Sequence, residues 1–112
     1  MQASKSLVGL VAAAATTAAM VALPAVAADL ATGKAKAGQC FVCHGADGIA
    51  KQPDAPNLAG QNEAYLIKAL KEYRSGKREH EVMSMMAKML TDDDIANVAS
   101  YFSAITIHVK AP

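Results

Sequence analysis

Two cysteines and a histidine lie within one short stretch, Cys40-Phe41-Val42-Cys43-His44, and this stretch constrains the fold more than any other part of the chain. Thiols at this spacing, followed directly by an imidazole, are typical of the attachment site of a covalent haem. Each cysteine can add to one vinyl group, and His44 can then bind the iron on the proximal side. Because the chain has 2 cysteines in all, the pattern predicts one haem and leaves no thiol for a disulfide.

Two other uses of a cysteine pair are less consistent with this sequence. A zinc site needs two further cysteine or histidine ligands, usually as a second close pair, whereas the remaining histidines, His80 and His108, are far apart in the chain. A redox-active pair of the thioredoxin type needs alternating strands and helices around it. No strand pattern surrounds this motif, so haem attachment is favoured over both alternatives.

The amino-terminal segment has the pattern of a secretory signal. Lys5 provides a positive charge, residues 7–23 are mostly apolar and rich in alanine, and small residues follow Pro24. We predict a signal peptide over residues 1–28 that is cleaved to leave a domain of residues 29–112. A retained membrane anchor is the alternative, which Pro24 and the small residues disfavour. Export together with a covalent haem indicates the bacterial periplasm, with no membrane insertion after cleavage.

Charge gives no indication of a nucleic-acid partner. The full chain has a formal net charge of +1, and loss of Lys5 with the signal would leave basic and acidic side chains equal in number. A formally neutral domain is not attracted to nucleic acid or to an acidic membrane surface.

The patterns after the signal predict an all-α domain with three main helices and loops around the haem. The first helix covers residues 29–39, begins at Asp29 as N-cap and runs directly into the cysteine motif. Gly33 and Ala37, one turn apart, would allow another helix to approach closely. Residues 45–60 are rich in glycine and proline, and we expect an ordered loop there.

The other two helices have clear starts. Asn62 is a predicted N-cap, and the helix that it begins ends at Gly76. Thr91 begins the last helix, with Asp94 near the capping-box position and the first helix as its expected partner. The predicted core positions of these two helices are Tyr65, Leu66, Ala69, Leu70, Tyr73, Ile95, Val98, Ala99, Phe102 and Ile105.

Methionines crowd the segment between these two helices, where residues 82–90 contain four of the chain's 6 methionines. Methionine often fills irregular gaps in a core, but in a haem protein a thioether is the expected distal ligand of an electron-transfer iron. Spacing does not choose among Met83, Met85, Met86 and Met89, although Met89 is more consistent with a core position. His80 is an alternative ligand, in a polar setting that suits a solvated side chain.

The chain resembles a class I cytochrome c, and more closely one haem domain of the periplasmic dihaem cytochromes c and their single-haem relatives. The resemblance extends from Gly33 to Ile105. The stretches that support it are 33–37, 43–48, 56–61 and 90–102. It implies the small class I cytochrome c fold, in which the first and last helices cross at Gly33 and Tyr101.

The resemblance also implies roles for single residues at the haem. The family's ligand methionine lies seven residues before the leucine that opens the last helix, which selects Met83 in this chain, with Met86 second. The Pro56 carbonyl is expected to accept a hydrogen bond from the His44 ring. The predicted cofactor site therefore comprises Cys40, Cys43, His44, Pro56 and Met83, with His44 and Met83 as the iron ligands.

An iron with both axial positions filled has no vacancy for a substrate, so we predict a one-electron carrier and not an enzyme. It would shuttle electrons between respiratory or dehydrogenase partners through transient encounters with a donor and an acceptor. Two alternatives are an electron-transfer subunit of a larger oxidoreductase and, if the methionine is labile, a gas-binding or peroxidase-like haem protein. Five basic residues lie close together in the sequence and have two interpretations. They form either a basic face that steers an acidic partner or simply a solvated helix surface. The five are Lys68, Lys71, Arg74, Lys77 and Arg78.

Overall fold

The computed structural model describes residues 29–112 together with Gly9, and every regular element in these residues is helical, as predicted. A single 3₁₀ turn, Gly38–Cys40, joins the first two helices. The helices are α1 Leu30–Ala37, α2 Phe41–His44, α3 Glu63–Ser75, α4 Glu81–Lys88 and α5 Asp92–Ser103. Apart from Gly9, the predicted signal peptide lies outside the described residues. None of the helices described is long and apolar enough to cross a membrane.

The three predicted helix starts are confirmed. The Asp29 carboxylate accepts hydrogen bonds from two backbone N–H groups of the first turn of α1, and Asn62 Oδ1 accepts one from the first turn of α3. Thr91 and Asp94 form the full capping box of α5, with distances of 3.0 and 3.1 Å. Gly76 ends α3 in the left-handed region, at φ +81°, where a residue without Cβ is favoured. These helix boundaries follow from local chemistry.

The methionine-rich segment forms a helix, α4, that the pattern of three main helices does not include. Helix α4 packs against α3 and buries Ala87, while Leu90 just after it is also buried. Met89 is 59% exposed, so its expected place in the core was wrong. The N-cap of the helix is His80, and histidine is not among the common N-cap residues. This explains why no helix start was predicted there.

The core is formed mainly by α1, α3 and α5. α5 packs against both of the others, so it is the central element of the three. Tyr65 is 45% exposed and does not belong to the core, in contrast to the prediction. The main cluster of buried apolar residues is Ala37, Leu66, Val98, Ala99 and Phe102.

Helices α1 and α5 approach each other closely at Gly33, as predicted. Gly33 is buried, and a Cβ built on it would lie 3.1 Å from Tyr101 Cβ and would overlap the backbone carbonyl of Asn97. A backbone oxygen in α5 cannot move aside without shifting the helix. The short distance between the two helices therefore depends on the missing side chain.

We expect Gly33→Ala to destabilise the protein by about 2 kcal/mol, because the added methyl group forces the two helices apart. Gly38→Ala is the matched control: Gly38 has φ −50° and a Cβ there would meet nothing within 4 Å. Urea unfolding of both variants measures the difference. Equal stability of the two variants would contradict the proposed importance of this contact.

Candidate functional site

The two cysteines lie at the carboxyl end of the 3₁₀ turn and in the short helix α2 that follows it. Both are partly buried, and a separation of three residues along consecutive helical turns brings their side chains to the same side. Helix α2 ends at Gly45, which has φ +78° and donates its N–H to the Phe41 carbonyl at 2.9 Å. The thiols are therefore fixed relative to each other by a compact helical segment.

The chemistry of the thiols argues against the two other uses of a cysteine pair. Burial, with a smaller repulsion from Cys43, raises the pKa of the Cys40 thiol to about 11, whereas redox-active cysteines have a lowered pKa. Within residues 29–112, no three histidine, cysteine or acidic side chains come together as a metal site. Neither a reactive thiolate nor a zinc centre is indicated.

His44 is held in one orientation by the loop that follows it. The ring is buried, with 6% exposure, and its Nδ1 lies 2.9 Å from the Pro56 carbonyl oxygen. Because a carbonyl can only accept, Nδ1 must carry the proton, and Nε2 then keeps the lone pair that a metal needs. An imidazole oriented in this way next to two thiols is suited to bind the iron of a covalently attached haem.

Backbone hydrogen bonds fold the loop of residues 45–60 back on itself. The Gly48 carbonyl accepts from the N–H groups of Leu58 and Ala59 at 2.8 and 3.0 Å. Asn57 Oδ1 accepts from Ala50 N–H at 2.8 Å, directly beside Pro56. These contacts determine where the Pro56 carbonyl lies. No role was predicted for Asn57, because its partner lies seven residues earlier in the chain and no local turn pattern indicates that bond.

Helix α5 holds both ends of the same loop. The Tyr101 hydroxyl donates to the Ala46 carbonyl at 2.5 Å, and the N–H of Gly60 donates to the Phe102 carbonyl at 3.0 Å. Tyr101 was expected only at the helix crossing, and its hydroxyl contact was not predicted. The histidine, the loop and the last helix are therefore connected by hydrogen bonds.

The four clustered methionines fall into two groups. Met83 and Met86 are half-buried, whereas Met85 and Met89 are 60% and 59% exposed. Met83 and Met86 are three residues apart in α4, on the same side as the buried Ala87. The two candidates that the sequence ranked first are thus the two less exposed of the four.

Arg74 fixes the connection between α4 and α5. Its guanidinium donates to the Leu90 carbonyl at 3.0 Å and to the Asp92 carboxylate at 2.5 Å. This contact holds the pKa of Asp92 below its ordinary value. Arg74 was predicted as part of a basic surface, but its guanidinium holds the segment between α4 and α5 through these two hydrogen bonds.

The predicted basic face is partly paired with acidic side chains. Glu72 forms ion pairs with Lys68 at 3.3 Å and with Lys77 at 3.7 Å. Arg78 lies over the Tyr73 ring, 4.8 Å from its centroid. Arg74 is paired with Asp92, so the five basic side chains share two carboxylates and the surface keeps a positive charge.

The chain is similar in sequence to known proteins. The sequence model of the family described as cytochrome c matches residues 30–106. Cytochrome c4 of Pseudomonas aeruginosa is 45% identical over 78 residues, which are 70% of this chain and 39% of that protein. Cytochrome c-554(548) of Halomonas halodenitrificans is 44% identical over 81 residues, which are 70% of this chain and 98% of that protein.

A solved structure extends the similarity to the fold. The crystal structure of reduced recombinant cytochrome c4 from Pseudomonas stutzeri superposes with a TM-score of 0.66 at 36% identity, and the match covers 71% of this chain and 47% of that one. This chain therefore spans less than half the length of the cytochromes c4 that it matches. It spans nearly all of the shorter relative from Halomonas.

We expect Tyr101→Phe to lower the free energy of unfolding by about 1 kcal/mol, because the Ala46 carbonyl loses its donor. Tyr73→Phe is the control, since the Tyr73 hydroxyl makes no hydrogen bond to the rest of residues 29–112 and its ring under Arg78 is kept. Urea unfolding measures both. If the two variants lose the same stability, the tie between α5 and the loop is not important.

Proposed function

This chain belongs to the cytochrome c family and carries one c-type haem bound covalently through Cys40 and Cys43, and from that premise we propose that it is a periplasmic one-electron carrier with His44 and Met83 as its axial ligands. The family match supports an electron-carrying haem protein. We propose in addition that His44 and Met83 bind the iron, that the protein lies in the periplasm and that it has no enzymatic activity.

The 2.9 Å contact between His44 Nδ1 and the Pro56 carbonyl is the observation that best supports the proposal. It holds the ring in the tautomer that leaves Nε2 free for iron, and it strengthens donation from that nitrogen. Burial of the ring keeps water from competing for the same position. His44 would thus be the permanent, proximal ligand.

Met83 is proposed as the second ligand because three observations agree on it. It is half-buried, it lies in the helix that packs against α3, and it is seven residues before Leu90, as the family pattern requires. Met86 shares the half-buried side of α4 and is the alternative. A thioether paired with an imidazole favours a comparatively high reduction potential.

This ligand set is suited to electron transfer and not to substrate chemistry. The haem supplies an iron that changes its oxidation state by one electron. With His44 and Met83 both bound to the iron, no position on the metal would remain for a substrate. The surrounding residues keep both ligands in place and exclude water from the histidine.

The periplasm is proposed from the sequence. Residues 1–28 have the pattern of a cleaved signal peptide, and covalent haem attachment is a process of oxidising compartments. Partners are proposed to be a donor and an acceptor redox protein that bind transiently, since such encounters bury little surface. A permanent place as a subunit of a larger oxidoreductase is the alternative.

The optical spectrum of the purified protein tests the ligand pair. We expect low-spin bands in both oxidation states and, in the oxidised protein, the weak long-wavelength band of sulfur-to-iron charge transfer. A low-spin spectrum without that band would indicate a nitrogen ligand such as His80. A high-spin spectrum, or carbon monoxide binding by the reduced protein, would favour a gas-binding or peroxidase-like role. A second polypeptide that co-purifies in fixed ratio would favour the subunit alternative.

Substitution identifies which methionine is bound. We expect Met83→Ala to remove the charge-transfer band, to lower the reduction potential and to allow carbon monoxide to bind the reduced protein. Met86→Ala is the matched control, three residues along the same side of α4, and should change none of these. The reverse pattern would move the ligand to Met86.

A further inference from the structure

We propose that His80 is a positioning residue for Met83: its imidazole fixes the first turn of α4, in which the methionine lies. The inference rests on the proposed ligation by Met83 and adds a residue that does not touch the iron. Its basis is a set of hydrogen bonds that surround Met83 in the described structure.

The His80 side chain acts as the N-cap of α4. The residue has an extended backbone, and its Nδ1 accepts hydrogen bonds from the N–H groups of Val82 and Met83, both at 3.2 Å. The first N–H groups of a helix have no partner within the helix. Two of them share the single lone pair of Nδ1, and one of the two belongs to Met83 itself.

Ser84 completes the cap from the other side of Met83. Its Oγ accepts from the His80 N–H at 3.1 Å, and its own N–H donates to the His80 carbonyl at 2.9 Å. This pair of hydrogen bonds resembles a capping box, except that the side chain that bonds to the N-cap N–H belongs to the fourth residue of the helix and not to the third. Met83 therefore lies in the chain between His80 and Ser84, which are hydrogen-bonded to each other.

The segment before His80 is tied to α3. The Arg78 N–H donates to the Glu72 carbonyl at 3.1 Å, and the Arg78 guanidinium lies over Tyr73 and donates to the Tyr65 hydroxyl at 3.3 Å. The cap is thus attached to a long helix on one side and to the first turn of α4 on the other. This arrangement fixes the position of the Met83 backbone relative to α3.

The cap matters because α4 is short. A helix of 8 residues does not persist in water without support, and fraying begins in its terminal turns. Met83 is in the first turn, where loss of the cap has its largest effect. Loss of a good N-cap changes the folded population of that turn roughly fivefold, so the methionine should leave the iron correspondingly more often.

The test compares His80→Ala with His80→Asn in the haem-loaded protein at one fixed pH. Asparagine is a strong N-cap without an imidazole, whereas alanine cannot accept the two hydrogen bonds. The readouts are the affinity of the oxidised protein for added imidazole, which must displace the methionine, and the intensity of the charge-transfer band. We expect alanine to raise the imidazole affinity roughly fivefold and asparagine to restore it nearly to the original value.

Asp29→Ala controls for a general loss of stability, because it removes the side-chain N-cap of a different helix, α1, and should leave the imidazole affinity unchanged. Ser84→Ala provides a second variant, with the same direction as His80→Ala and a smaller size. If His80→Ala does not yield loaded protein, Ser84→Ala and His80→Asn decide the question.

Three outcomes would overturn the inference. Unchanged affinity in both His80→Ala and Ser84→Ala would show that the cap does not position the ligand. Equal increases in His80→Ala and His80→Asn would show that the imidazole acts otherwise than as a cap. An increase in Asp29→Ala as large as that in His80→Ala would show a general effect of lost stability. If instead Met83→Ala leaves the band intact, the ligand assignment fails, which is a different result from a silent His80 substitution.

Discussion

The close crossing of α1 and α5 is the contact on which the rest of the structure depends. Helix α1 leads through one 3₁₀ turn into the cysteines and His44, and α5 holds both ends of the loop that carries Pro56. The histidine and the carbonyl that orients it therefore reach each other through two elements that meet at Gly33. A displacement of α5 would separate them, although neither group lies at the crossing itself.

The polypeptide alone provides few large apolar side chains for its core. Within residues 29–112, Phe102 and Ile95 are the large side chains that are fully buried. The rings of Phe41, Tyr101 and Phe102 pack on one another, with centroids 5.1 to 6.4 Å apart, beside the attachment cysteines. A small domain gains stability from burying more apolar surface, and a haem attached through Cys40 and Cys43 would add such surface. Attachment of the cofactor would then contribute to folding as well as to function.

The features predicted correctly from the sequence are those encoded by neighbouring residues. Asp29, Asn62 and Thr91 cap helices through side chains that bond to backbone groups a few residues away, so the signal is local. The cysteine motif is local for the same reason. The crossing at Gly33 was also anticipated, because two small residues one turn apart leave room for a second helix.

The features that were missed depend on residues distant in the chain or on an unusual residue in a familiar role. The Tyr101 hydroxyl donates to a carbonyl that lies 55 positions earlier, and the Arg74 guanidinium donates to a carbonyl 16 positions later. Neither partner can be recognised from periodicity. Helix α4 was missed because its cap is a histidine. The pairing of Glu72 with two lysines could have been suspected, since one of them is four residues away on the same helix.

The two sides of the proposed iron site differ in how they are held. His44 follows Cys43 directly, so it stays near the iron even when its bond breaks, and its ring is fixed by a backbone carbonyl. Met83 has no covalent tie and depends on a short helix that α3, Arg74 and the His80 cap keep in place. Exchange of ligands should therefore begin on the methionine side. Because a thioether ligand would tune the potential of the iron, residues that only hold the backbone of α4 would influence electron transfer without any contact with the metal.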